Sequence, residues 1–153
     1  MIQKSSSLLL NLEPKNWNTL SSKTPQVVRD EFDDHMRLLG KGEHNFDDTI
    51  VKINDMEIMY LCNKTKNVHR ENGPAHIVVG NHESWFCDWY VNDIKHRLDG
   101  PASVDNLYED WYIHGTKATN KIHQWAKQQG INLKKMSNDD RTLLKLVWGD
   151  YGK

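Results

Sequence analysis

Histidine, arginine and a carboxylate in close succession are the raw material of acid–base chemistry, and this chain of 153 residues carries such a set twice. His69-Arg70-Glu71-Asn72-Gly73-Pro74-Ala75 returns as His96-Arg97-Leu98-Asp99-Gly100-Pro101-Ala102, with five of seven positions identical. An imidazole beside a carboxylate and a guanidinium can move a proton and hold an anion. His96, Arg97 and Asp99, or the unrepeated His114, therefore define an enzyme alternative. The duplication argues against it: a catalytic centre needs one set of groups, whereas a feature copied along a chain serves the hairpin that carries it. Structural hydrogen bonding is the expected role of His69 and His96, and no catalytic residue is assigned.

Other chemistry is weaker still. Cys62, Cys87, His69 and His96 are the right donors for a tetrahedral zinc site. No Cys-x-x-Cys or His-x-x-x-His spacing supports one, and Cys87 falls on the inward side of its strand. His-Arg-x-Asp at 96–99 has the form of a kinase catalytic loop without the glycine-rich loop, strand lysine or Asp-Phe-Gly element. There is no Gly-x-Ser-x-Gly elbow and no phosphate-binding glycine loop. The expectation is a chain that is not an enzyme, with no metal and no cofactor. Asp33/Asp34 and Asp139/Asp140 read as solvated helix charge.

A second repeated element is linked to the first. Trp89-Tyr90-Val91-Asn92-Asp93 returns as Trp111-Tyr112-Ile113-His114-Gly115, and Met59-Tyr60-Leu61 is a degenerate earlier copy. Asn72-Gly73 and Asp99-Gly100 are expected to adopt positive φ ahead of a proline that locks the exit from the turn. Ala75 and Ala102 are small where a strand passes close to a tryptophan. Arg97 and Asp99, two apart on an extended chain, share a face and can pair. Each tyrosine follows a tryptophan, so one aromatic points into each face of a sheet.

Residues 56–115, through the two His-Arg…Gly-Pro-Ala copies, Trp89-Tyr90 and Trp111-Tyr112, resemble the tandem repeat of small proteins encoded by tailed bacteriophages and some bacteria, a variant related to MORN repeats. The resemblance implies successive β-hairpins in a meandering antiparallel sheet, and no catalytic activity. Asp93 stands where that pattern has glycine, and Lys117-Ala118-Thr119 replaces a third Lys-His-Arg. The array is therefore short and its last unit incomplete.

The elements that position these residues fall into three parts of one domain. Residues 1–46 read as a helical cap: Thr24 as N-cap, Pro25 in the first turn, an apolar stripe at Val28, Phe32, Met36 and Leu39, and Gly40 as the stop. A short helical turn is expected around Trp17. Residues 47–117 change to strand period, with a hairpin about Asn54-Asp55 and further strands at Ala75–Val79, Ser84–Val91, Ala102–Val104 and Leu107–Ile113. Trp85, Cys87, Trp89 and Val91 share one face of Ser84–Val91, and Phe86, Asp88 and Tyr90 the other. Residues 118–153 form a helical C-terminal cap: a helix capped by Asn120 and stopped by Gly130, then one led by Ser137 that carries Leu143, Leu144, Val147 and Trp148. The fold class is α+β, an antiparallel meander of about six to eight short strands flanked by helices.

Twenty basic against 21 acidic residues leave a net charge near −1, which lacks the cationic surplus of a nucleic-acid coat. No apolar run approaches a membrane span. Two cysteines make no disulfide framework, and Lys4 followed only by Leu8, Leu9 and Leu10 falls short of a secretory segment. The cytoplasm, a host cell's if the gene is a phage's, is the expected location. The favoured function is a phage-type accessory protein that binds and modulates or inhibits a host protein. Alternatives are a small enzyme and a nucleic-acid-binding sheet, and self-association through an open sheet edge is a further possibility. Repeated residues hold the sheet, so partner contacts are assigned to Phe86, Tyr90, Tyr112 and His114, and to Asp30, Asp33 and Arg37 on the polar face of the first helix.

Overall fold

The computed structural model describes residues 9, 11–81 and 84–153. The expectation about the leader around Lys4, Leu8 and Leu10 lies outside these residues. A 3-10 turn, Trp17–Thr19, buries Trp17 and precedes helix α1, Gln26–Leu38. Strands β1 (Gly42–Asn45), β2 (Thr49–Ile53), β3 (Glu57–Cys62), β4 (His76–Val79), β5 (Trp85–Asp88), β8 (Ser103–Asp105) and β9 (Glu109–Asp110) form one antiparallel sheet in that order. Two small hairpins leave it: β6 (Tyr90–Val91) with β7 (Ile94–Lys95), and β10 (Tyr112–Ile113) with β11 (Thr116–Lys117). Helices α2 (Thr119–Gln129) and α3 (Asn138–Trp148) follow. The architecture is the expected α+β meander with flanking helices.

Strand alternation decides where the core sits. Val51, Ile53, Ile58, Tyr60, Ile77, Trp85, Cys87 and Val104 line one face, in register across the ladder, and α1 packs on that face against β4. Each fully buried aliphatic among them contributes about 1.5–3 kcal/mol. A second cluster, Trp111, Ile113, Ala118, Ile122 and Leu144, joins the last hairpin to α2 and α3.

The departures from the sequence reading are local. The helical cap does not run to residue 46, because Gly40 takes positive φ and the chain turns at once into β1. Ser84–Val91 and Leu107–Ile113 are each interrupted at the tryptophan. Trp89 donates its N–H to Ala102 in the main sheet, while its carbonyl accepts from His96 in the side hairpin. The pairing partner thus changes within one residue. In α3 only Leu144 of the expected apolar set is buried; Leu143 and Val147 are exposed. Gly130 (φ 69°) stops α2 as expected, and Ser137 forms a full capping box with Asp140.

Candidate functional site

The repeated turn is a socket for an arginine. In the second copy the Arg97 guanidinium lies 4.1 Å from the centroid of the Trp89 ring. Its Nη1 donates to the Pro101 carbonyl at 3.1 Å and its Nε to Asp99 Oδ1 at 2.8 Å, the pairing expected from their spacing. In the first copy Arg70 lies 4.2 Å from the Tyr60 ring centroid and donates from Nη1 to the Pro74 carbonyl at 3.2 Å. Tyr60 is therefore the counterpart of Trp89, which shifts the degenerate early copy by one residue.

Positive φ is not what the turn glycines supply; neither Gly73 nor Gly100 has it. They are glycine because the arginine lies against them: a Cβ would stand 2.8 Å from Arg70 Cζ at Gly73 and 2.6 Å from Arg97 Cζ at Gly100. Positive φ occurs one hairpin onward, at Asn92 and Asp93 and at His114 and Gly115, as two-residue type I′ turns require. Asp93 adopts it without being glycine.

The repeated histidines connect each turn to the next. His69 Nδ1 accepts the Asn92 N–H at 3.2 Å and His96 Nδ1 accepts the His114 N–H at 2.9 Å. Since Nδ1 supplies a lone pair, the neutral ring carries its proton on Nε2. His96 also stacks on His114, with centroids 4.3 Å apart. His114 donates from Nε2 to the Gly149 carbonyl at 2.7 Å, tying the last hairpin to the end of α3. Burial, with help from His114 and Lys153, holds the His96 pKa below its ordinary value.

A buried polar network lies beneath the first copy. Glu31, 2% exposed, reaches Arg70 Nη2 at 3.4 Å. His35, fully buried, donates from Nδ1 to the Glu31 carbonyl at 2.7 Å and accepts the Tyr60 hydroxyl at Nε2, 2.6 Å away. Burial pushes the Glu31 carboxyl up, opposed by Arg70 and Lys15, and pushes His35 down to about 4. Sequence reading missed both residues. Their signal was there: 28, 31 and 35 share one helical face, the face of the apolar stripe that begins at Val28.

The array ends at Thr119. Ala118 donates to the Trp111 carbonyl as His96 does to that of Trp89, so Thr119 occupies the place of a third arginine. Its hydroxyl accepts the Trp111 N–H at 2.9 Å and donates to Asp110 at 3.0 Å, replacing the strand that would come next.

The residues assigned to a partner split into two groups. Phe86 lies on the sheet face turned away from α1, edge-on to His76, whereas Tyr90 stands beyond the break at Trp89 on the first side hairpin. Tyr90 and Tyr112 are half-buried, packing in part against the core, and the Lys95 ammonium sits 5.7 and 4.9 Å from their ring centroids. His114 is half-buried in its stack. Asp30, Asp33 and Arg37 are exposed on α1, on the other side of the sheet, where Arg37 pairs with Asp34 at 3.1 Å.

Between the two repeated turns lies a groove of about 380 Å³, with Trp17, Trp89, Asn72, His96, Arg97 and Lys145 in its walls. Both cysteines are free thiols, and burial raises the pKa of Cys87 well above the ordinary range. Among the described residues no cluster of three or more histidine, cysteine or acidic side chains is placed to hold a metal ion. No helix among them is long and apolar enough to cross a membrane. Compared with protein-family models, curated proteins and solved structures, the chain matches none.

Proposed function

We propose that this chain is a protein-binding module, a phage-type accessory protein that presents Phe86, Tyr90 and Tyr112 to a host protein in the cytoplasm and modulates or inhibits it. The observation that carries the reading is the pair of half-buried tyrosines, Tyr90 and Tyr112, on the two side hairpins, with the Lys95 ammonium between their rings. Rigid aromatic side chains around a cation are the groups in which interface energy concentrates. Leu107 and Tyr108, 71% and 67% exposed at the turn before β9, add apolar surface. The balanced net charge favours protein over nucleic acid. The phage setting rests on the resemblance of residues 56–115 to repeats of that origin.

The test compares the full chain with Tyr112→Ala and Lys95→Glu variants as baits in bacterial lysate, each checked by circular dichroism melting. A single stoichiometric partner retained by the parent and lost from folded variants supports the reading. A partner held equally by all three, or no stoichiometric partner at all, overturns it.

A further inference from the structure

The two repeated turns differ at a residue that water can change without an enzyme. Asn72 is the only asparagine of the chain followed by glycine, and Asp99-Gly100 stands at the same place in the second copy. The backbone nitrogen of the next residue attacks an asparagine side chain most readily when that residue is glycine, which has no Cβ to obstruct the approach. Asn72 is exposed, and its side-chain amide has no hydrogen-bond partner among the described residues; the Gly73 N–H donates to none of them either. Other exposed turn asparagines are held: Asn54 accepts the Met56 N–H at 2.9 Å and Asn132 that of Lys134 at 3.0 Å.

Arg70 favours both the reaction and its product. Its guanidinium lies against Gly73, where a Cβ would stand 2.8 Å from Cζ, and a positive charge beside a peptide group favours loss of the N–H proton. Nη1 of Arg70 donates to the Pro74 carbonyl and Nη2 reaches Glu31, but Nε has no partner among the described residues, although the side chain is only 10% exposed. The corresponding Nε of Arg97 donates to Asp99 Oδ1 at 2.8 Å. The first copy thus has a buried donor placed for the carboxylate that deamidation makes. We propose that Asn72-Gly73 is a spontaneous deamidation site whose product gives the first turn the charge pattern of the second. The Gly73 nitrogen loses its proton and bonds to Asn72 Cγ, the Cγ–Nδ2 bond breaks, and ammonia leaves with that proton. Water then opens the succinimide: addition at Cγ gives aspartate at position 72, and addition at the backbone carbonyl carbon gives isoaspartate. One water enters, one ammonia leaves, and nothing is oxidised or reduced. With aspartate in place, Arg70 has an acid within its own turn and no longer depends on Glu31 alone.

The purified full chain is incubated at neutral pH and followed by peptide mapping with electron-transfer fragmentation, which separates aspartate from isoaspartate, with the Asn72→Asp chain as standard. A mass gain of about one dalton is expected at residue 72 ahead of every other asparagine. Its rate should lie within about tenfold of that in the same chain unfolded in urea. The share of aspartate should be higher in the folded chain than in urea, because Arg70 Nε receives that product. Asn72→Gln, whose larger ring closes far more slowly, should abolish the gain and melt as the parent does. An Asn72 that stays intact in the folded chain while it converts in urea, or conversion spread evenly over other asparagines, overturns the inference. An equal aspartate share in the two states overturns the role given to Arg70.

Discussion

The turn at Glu71–Pro74 and the turn at Leu98–Pro101 hold their arginines alike and neutralise them differently. Both guanidiniums stack on a ring, donate to a proline carbonyl and press on a glycine. Arg97 finds its acid two residues away in Asp99, whose side chain is 47% exposed. The first copy has Asn72 at that position, and Arg70 takes its acid from α1 in Glu31, which is buried. One copy is closed within the hairpin; the other requires a tertiary contact. The difference is one of risk: an acid at the surface can return to water when its partner is lost, and a buried one cannot.

The largest effect should come from Arg70→Ala, which leaves Glu31 charged in the core and should cost about 3–5 kcal/mol in urea unfolding. Arg97→Ala leaves Asp99 able to rehydrate and should cost less. Adding Glu31→Gln to Arg70→Ala should recover more than 1 kcal/mol, on the order expected for coupled sites. Equal costs for the two arginines, with no recovery, would break the comparison.

Acid should weaken the chain through the first copy. His35 has its folded pKa held at about 4, below the unfolded 6.5, so between these values the unfolded chain binds the extra proton. Its contribution is complete above pH 6.5 and is lost on acidification, up to about 3 kcal/mol. Glu31 has the opposite sign: its raised pKa means the folded state takes up the proton first, returning part of the loss. Arg70, Lys15, Asp34 and Tyr60 complete the surroundings. Unfolding free energies from pH 7 to 4 should fall and then flatten, and His35→Gln should remove the His35 share while leaving the smaller His96 one. A slope unaltered in that variant would remove the network from the explanation.

Gly100→Ala should cost about 1–3 kcal/mol by overpacking against Arg97. The same substitution in an Arg97→Ala background should cost markedly less, since the clash is with that side chain. An undiminished penalty would point back to backbone conformation. The smallest expected effect sharpens the comparison most directly. Asn72→Asp gives the first copy the second copy's acid, and should change stability by within about 0.5 kcal/mol in the parent chain. In Glu31→Gln it should be clearly stabilising, because Arg70 then lacks its own acid. Thermal melts of the four chains decide this.

The repeats, the α+β meander, the Arg97–Asp99 pair and the stop at Gly130 were legible because each follows from neighbours in the chain: alternation, a two-residue spacing on one strand face, a residue type that suits a turn. The structural role of the histidines was legible from their duplication, although not that each accepts an N–H from the following hairpin. The reason for the turn glycines was not legible. Close approach and positive φ demand the same residue, and only the position of a side chain from the turn itself separates them.

By itself the sequence determined the flanking helices, most of the strands in their order, and a paired turn in which Asp99 answers Arg97, because these interactions close within a few residues; β1 and the breaks at Trp89 and Trp111 it did not. The tertiary structure decided the rest. It placed Glu31 and His35 beneath Arg70 and Tyr60, set Thr119 where a third arginine would stand, and put Tyr90 and Tyr112 on side hairpins outside the main sheet. Contacts between residues distant in the chain depend on which face each element turns inward. A charged residue's type says little about that when an arginine from another hairpin is there to receive it.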